Sequence, residues 1–323
     1  MKASSVKGKR VIVTGGAGVI GRELLKLLSR EGARILSVDR HPLPEGDWPG
    51  ISHIQKDLGG DSLEELRDFQ PQVILHLAAT FERSEESPSF WDINWHDNTL
   101  LSHRIVDLTK DMPELEVFVF ASSYLPYSPS LYLKPSWRGD VVYLKEDDLI
   151  VPRNLCGAAK FYTEGELEFI KEVLKPSLRI VHARIYRVYG CGSRDVISRW
   201  VRAALAGDEI EVYNKENRFD YIFVGDVAEG LLRLAESPDA EGPVNLSYGT
   251  ARRVQDVLDI LVEYIPSAKA RIRDLGSKEP FEASCADLTL LNQFCGWSPP
   301  TELKKGIKAI IDFEQNRAGH NIE

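Results

Sequence analysis

Residues Arg10–Arg22 read RVIVTGGAGVIGR, and this stretch decides the fold. Val11, Ile12, Val13 and Thr14 are a β-branched run, the composition of a buried strand. Gly15, Gly18 and Gly21 follow at a spacing of three, and Glu23–Arg30 (ELLKLLSR) then has the pattern of an amphipathic helix. In a strand–turn–helix of this kind the first glycine permits the tight turn. The second lets the backbone approach a pyrophosphate, and the third lets the helix pack close to the strand. Asp39, at the end of a next strand predicted over Arg34–Val38, is placed to meet a ribose. The reading is a dinucleotide-binding βαβ unit.

Working outward, the 323 residues suffice for one large α/β domain with a smaller lobe. The 43% hydrophobic and 28% charged fractions are those of a soluble globule. A net charge of −9 argues against nucleic acid or an anionic membrane as partner, while allowing a local basic pocket for phosphates. No apolar run approaches the length of a membrane span, and the glycine turn uses Val11–Ile20 better than a signal peptide would. Cys156, Cys191, Cys285 and Cys295 are widely spaced and suggest no zinc site; free thiols in a reducing cytoplasm are expected.

Further strands are predicted over Ile51–Gln55, Val73–Ala79, Glu116–Ala121 and Arg179–Ile185, and helices over Ser62–Phe69, Phe90–Lys110 and Asn154–Leu174. His76, inside an apolar strand, reads as a hydrogen-bonded core histidine. His96 and His103, seven apart on one helix, read as solvent or interface packing rather than metal ligands. Tyr124–Val151 is a loop with prolines, Trp137 and the acidic run Glu146–Asp148, expected to fold over the site or to meet another subunit. The alternation predicts a doubly wound parallel sheet. Residues 1–185 are expected to form the dinucleotide-binding domain. Residues 186–323 are expected to form a smaller substrate lobe, including helices at Val196–Ala206, Asp226–Glu236 and Val254–Tyr264, with segments returning to the main sheet.

The chain resembles the extended short-chain dehydrogenases/reductases of the nucleotide-sugar epimerase/dehydratase type. The family's glycine motif is matched at Thr14–Gly21, its acidic residue at Asp39, and its Asp before an apolar residue at Asp57-Leu58. Its HLAA is His76–Ala79, its helix Asn is Asn94, and its FxxSS is Phe120–Ser123. Its K-x-x-x-E is Lys160–Glu164, its V-Y-G is Val188–Gly190, and its DFIYVDDVA is similar to Asp220–Ala228. Asn245–Gly249, Ala286-Asp287 and Gly296–Pro299 match its later motifs. The resemblance implies a Rossmann fold with NAD against Gly15, Gly18, Val19, Ile20, Gly21, Asp39, Arg40, Asp57, Leu58, Leu77, Ala78, Ala79 and Lys160. A carboxylate at Asp39 suits NAD, whereas Arg40 leaves NADP open. The resemblance also implies a homodimer through the helices at Phe90–Lys110 and Asn154–Leu174.

The departures shape the functional reading. Where the family has Y-G-x-S-K, this chain has Cys156-Gly157-Ala158-Ala159-Lys160. Lys160 is one turn from Cys156 on the same face, and the resemblance implies that it binds the nicotinamide ribose. The phenol that takes the substrate proton is missing. Cys156, a bridging water, or a phenol from Tyr124, Tyr127 or Tyr162 are the replacements considered; Cys156 as an inert small residue is the alternative. Ser123 aligns with the catalytic Ser/Thr. Tyr124-Leu125 stand where the 4,6-dehydratases have Asp-Glu and the decarboxylases have Glu, which disfavours dehydration by that mechanism. Thr80, Ser122, Tyr124, Arg187 and Arg218 are candidate substrate contacts; Arg187 replaces the family's Asn, and Lys278 is a further cation. The expectation is an NAD-dependent isomerase of a nucleotide sugar, an epimerase working through a keto intermediate with catalytic residues Ser123, Cys156 and Lys160. Its rivals are an NAD(P)-dependent reductase/dehydrogenase with net turnover and a catalytically impaired dinucleotide-binding sensor or scaffold.

Overall fold

The computed structural model describes residues 5–46, 48–81, 87–136, 138–278 and 280–320, with side chains to residue 317. Seven strands form the main sheet: β1 (Arg10–Thr14), β2 (Arg34–Asp39), β3 (Ile51–Gln55), β4 (Val73–His76), β5 (Val117–Ser123), β6 (Arg179–Ile185) and β7 (Gly242–Leu246). Their order is β7-β6-β5-β4-β1-β2-β3, and every pairing is parallel. Most of these strands are buried along nearly their whole length, as a parallel sheet covered on both faces requires. β1 lies between β2 and β4, so the strand order reverses there and a crevice opens at the carboxyl ends of β1 and β4.

Two apolar cores fill the two faces of the sheet. On one, Leu24, Leu25 and Leu28 of helix Val19–Arg30 pack with Val227, Leu231 and Leu234 of helix Val224–Glu236 against β1, β4 and β5. Each of these leucines is fully buried, a contribution of roughly 1.5–3 kcal/mol apiece. On the other face, Leu101 and Ile105 from the helical run 90–111 meet Leu167 and Ile170 from the run 155–174. A third core joins helices Val196–Ala206, Val254–Tyr264 and Leu303–His320 around Tyr189, Trp200 and Ile307.

Three boundaries differ from expectation for physical reasons. The strand predicted over Val73–Ala79 ends at His76, because the Leu77 and Ala78 N–H groups turn to the Thr14 hydroxyl, at 3.1 and 3.2 Å. The run 90–111 is continuous but contains a π-helical turn at Trp95–Leu100, where the buried polar residues Asp97 and Asn98 find side-chain and loop partners. The segment Tyr124–Val151 is not simply a loop. Leu133–Lys134 pairs with Phe281–Glu282, and Val142–Leu144 pairs with Ser284–Ala286. Trp137 lies outside the described residues.

Candidate active site

The glycine turn is shaped by contacts that leave no alternative residue at two positions. Gly15 has φ +73°, and a Cβ there would lie 2.8 Å from Ala78 N; a Cβ on Gly21 would lie 2.2 Å from Gly15 O. Gly18 differs: a Cβ would meet only Gly15 O, at 3.2 Å, and the residue faces a cavity of about 830 Å³. The following helix starts at Gly18 without a side-chain cap, so its first N–H groups are available to an anion. Asp39 stands across the turn. Its carboxylate accepts from Ala17 N at 3.1 Å on one oxygen, and on the other from His41 N at 2.9 Å with the His41 ring at 3.3 Å.

Of the residues expected to hold a cofactor, Gly15, Gly18, Val19, Asp39, Arg40, Leu58, Leu77, Ala78 and Ala79 line this cavity, together with Thr80. Gly21 is buried against the turn, and Ile20 packs against the core on its helix's face of the sheet. Asp57 is turned to its own loop, accepting from Gly59 N at 3.0 Å. Sequence reasoning did not find Asp97 or the Gly192–Arg194 segment in the cavity wall. Asp97 decides the role of its neighbour: it accepts from the Arg40 guanidinium at 2.6 Å and from His96 at 2.7 Å. Burial pushes Asp97 up, but the bonds from Arg40 and His96 outweigh it and hold the carboxyl below its ordinary value. Asp57, His96 and Asp97 bring their ligand atoms within 4.8 Å of one another, yet Arg40 already supplies the cation, 3.9 Å from Asp57. In this structure the Arg40 guanidinium is paired through Nη2 with Asp97.

The cavity runs on to Thr80, and there it meets the second half of the site. Cys156 Sγ lies 3.8 Å from the Thr80 carbonyl oxygen and 3.9 Å from Asn98 Nδ2. Asn98 fastens this corner: it accepts from Thr80 N at 2.7 Å and donates to Thr80 O at 3.0 Å. The helix Leu155–Phe169 that carries Cys156 is capped by Asn154, whose side chain accepts from Gly157 N. One turn on, Lys160 Nζ sits 4.7 Å from the centre of the Phe120 ring. Burial lowers its pKa to about 8, partly offset by Cys156 and Glu164. Ser123, at the carboxyl end of β5, accepts from Leu125 N at 3.2 Å. His76 is fully buried between the Thr14 hydroxyl, at 2.6 Å, and Ser102, at 3.1 Å. Burial, with Lys160 nearby, pushes its pKa down to about 3.

The remaining sequence candidates do not line this cavity. Ser122 donates to Glu164 at 2.5 Å, and Glu164 forms a buried fork with Arg184, at 2.8 and 3.2 Å. Tyr127 donates to Asn245, and Tyr162 lies on the outer surface with its hydroxyl on Glu166. Tyr124 donates to Glu282 at 3.2 Å. Glu282 also accepts from Arg153 at 2.5 Å and Arg187 at 3.1 Å, so despite burial it is held below the ordinary carboxylate range. Arg187 lies over the Phe219 ring, 3.7 Å from its centre, and Arg218 opens the strand Arg218–Phe223 beside it. Glu282 gave no sequence signal, because a lone acid in a two-residue strand has no pattern.

The sequence model of the NAD dependent epimerase/dehydratase family matches residues 11–247. The chain belongs to that family. It is 26% identical to a dTDP-L-rhamnose 4-epimerase of Burkholderia thailandensis, over 95% of each chain. It is 27% identical to UDP-glucuronic acid decarboxylase 2 of Arabidopsis thaliana, over 98% of this chain and 71% of the relative. Among solved structures, MoeE5 in complex with UDP-glucose and NAD superposes with a TM-score of 0.81 at 26% identity, covering 96% and 99% of the two chains. The epimerase Mth375 of Methanothermobacter thermautotrophicus, at 20% identity and a TM-score of 0.85 over 98% and 95%, shares the fold. NAD is the family's cofactor, and the open cradle at Gly18, the uncapped helix start and the Asp39 carboxylate fit it.

Proposed function

We propose that this chain is an NAD-dependent epimerase of a nucleotide-activated sugar, working through a transient ketone. The observation that carries the reading is the continuity of the Gly18–Asp39 cavity with Thr80, against which Cys156 packs one turn from Lys160. NAD, when bound, supplies the oxidant that accepts a hydrogen from a sugar carbon and returns it. Gly15, Gly18 and Asp39 hold the dinucleotide. Ser123 orients the reacting oxygen, Lys160 lies against the nicotinamide ribose, and Cys156 closes the wall. Arg187 and Arg218 supply cationic contacts for a diphosphate, with residues 186–323 as the substrate lobe. Tyr124-Leu125 provide no acid for expelling water, which supports epimerisation over dehydration.

A homodimer belongs to the same proposal. Trp91, Trp95, Phe161 and Phe169 stand exposed on the runs 90–111 and 155–174, beside an apolar groove of about 730 Å³. Cytoplasmic residence suits four cysteines free of disulfides; no described helix is long and apolar enough to cross a membrane.

The test is incubation of the NAD-loaded protein with UDP-glucose, UDP-galactose and UDP-glucuronate, with chromatography of the sugars and absorbance of the nicotinamide. An epimer without accumulating reduced nicotinamide is the expected result. Steady accumulation would mean a dehydrogenase with net turnover. Bound NAD with no conversion of any sugar would favour the sensor or scaffold, the reading that the missing phenol supports.

A further inference from the structure

Among the described residues no acid is bonded to Lys160, although Cys156 and Glu164 partly offset the effect of its burial. Glu164, the acid on its own helix, gives both oxygens to Ser122 and Arg184. From β4 it faces His76, held neutral between Thr14 and Ser102, and from β5 the Phe120 ring. Cys156 is the other titratable group near it, and that thiol is packed against Thr80 and Asn98. Among the described residues no carboxylate or carbonyl bonds Lys160 Nζ. The three phenols that could substitute for a tyrosine at position 156 donate instead to Glu282, Asn245 and Glu166.

We propose that Lys160 is itself the proton acceptor and donor of this site, reaching the substrate hydroxyl directly or through one water. The inference rests on the epimerase reading. In the first half-reaction the sugar carbinol breaks its O–H and C–H bonds. The proton ends on the Lys160 amine, which becomes an ammonium; the hydrogen leaves carbon with its electron pair to the oxidised nicotinamide, and a ketone forms. The second half-reaction reverses both transfers at the other face of the ketone. An amine can perform the first step only if a useful fraction is neutral near pH 7–8, and the burial of Lys160 supplies that condition. The same burial favours neutrality without removing the ammonium form that the second step needs.

The experiment joins a titration to a rate. In the sugar-free protein labelled with ¹⁵N-lysine, the Nζ resonance lost in Lys160→Arg is followed against pH; a midpoint near 8 is expected without NAD, and one at or below it with NAD bound. Hydride transfer from UDP-glucose, UDP-galactose or UDP-glucuronate, read as transient nicotinamide absorbance, rises with pH through the midpoint found with NAD bound. At saturating NAD, Lys160→Arg loses transfer by about 10²–10⁴-fold, the usual weight of general acid–base catalysis. Lys160→Ala is rescued by added methylamine, ethylamine and fluoroethylamine in the order of their basicity. A midpoint at 10 or above, transfer in Lys160→Arg within about threefold of wild type, or rescue indifferent to amine basicity overturns the proposal. A wild-type protein that binds NAD but transfers hydride from none of the three sugars overturns the epimerase reading first, and the Lys160 role with it.

Discussion

Cofactor choice in this cavity depends on two carboxylates rather than one. Asp39 stands across the glycine turn, where the proposed NAD would place its ribose, and Asp97 holds Arg40 at 2.6 Å with Asp57 behind it at 3.9 Å. Asp39→Ala removes an ionised acceptor, worth about 1.5–3 kcal/mol in a hydrogen bond, so NAD binding weakens roughly 10- to 150-fold. NADP does not gain correspondingly, because Arg40 stays paired with Asp97. Adding Asp97→Asn releases the guanidinium, and an Arg–phosphate contact then returns about 1.5–3 kcal/mol. The double variant is therefore expected to bind NADP roughly 10- to 150-fold more tightly than Asp39→Ala does. Calorimetry with both dinucleotides on the two variants and wild type measures this, with cofactor-free thermal unfolding as the control for the loss of the Ala17 tie. If Asp39→Ala alone binds NADP as tightly as the double variant, Arg40 is not restrained by Asp97 and the electrostatic account of the cavity is wrong.

Two further outcomes concern the scaffold. Glu164→Gln strands the buried Arg184 charge, whose side chain is 4% exposed, and is expected to cost about 3–5 kcal/mol in urea unfolding; Glu164→Met with Arg184→Met should recover much of it. A loss under about 1 kcal/mol for Glu164→Gln would mean the fork is solvated. His76 has a folded pKa of about 3 against an ordinary 6.5, so the unfolded chain binds the extra proton between those values. Its contribution is present above pH 6.5 and lost as pH falls towards 3, at up to about 1.4 kcal/mol per unit. His76→Gln should flatten the fall of unfolding temperature across that window; parallel curves for the two proteins would show that His76 is charged in the fold.

The main sheet was legible because its strands are almost wholly apolar and alternate with amphipathic helices; Ile51–Gln55 and Arg179–Ile185 were placed to the residue. The glycine turn was legible because Gly15 and Gly21 answer to backbone contacts that no other residue satisfies. Asp97 escaped notice since a buried polar run inside a helix looks, in sequence, like a solvated face. It lies in the π-helical turn and there meets Arg40. The pairings of Leu133–Lys134 and Val142–Leu144 with residues 281–286 were hidden because two- and three-residue strands are too short to show alternation. With them went Glu282, which gathers Arg153, Arg187 and Tyr124 beside Ser123. The departure at Cys156 could be read only against the family pattern, since nothing about a cysteine early in a helix announces a missing phenol.

The most direct test of the cavity as an NAD site is calorimetric titration of NAD into Gly18→Ala beside wild type. The added Cβ meets only Gly15 O at 3.2 Å, so the cofactor-free fold should tolerate it with an unfolding temperature within about 2 °C. In the proposed NAD site the methyl group would stand where the pyrophosphate approaches the backbone, and NAD affinity is predicted to fall at least about tenfold, some 1.4 kcal/mol. An unchanged NAD affinity in a variant of unchanged stability would contradict the placement of the dinucleotide on this glycine turn.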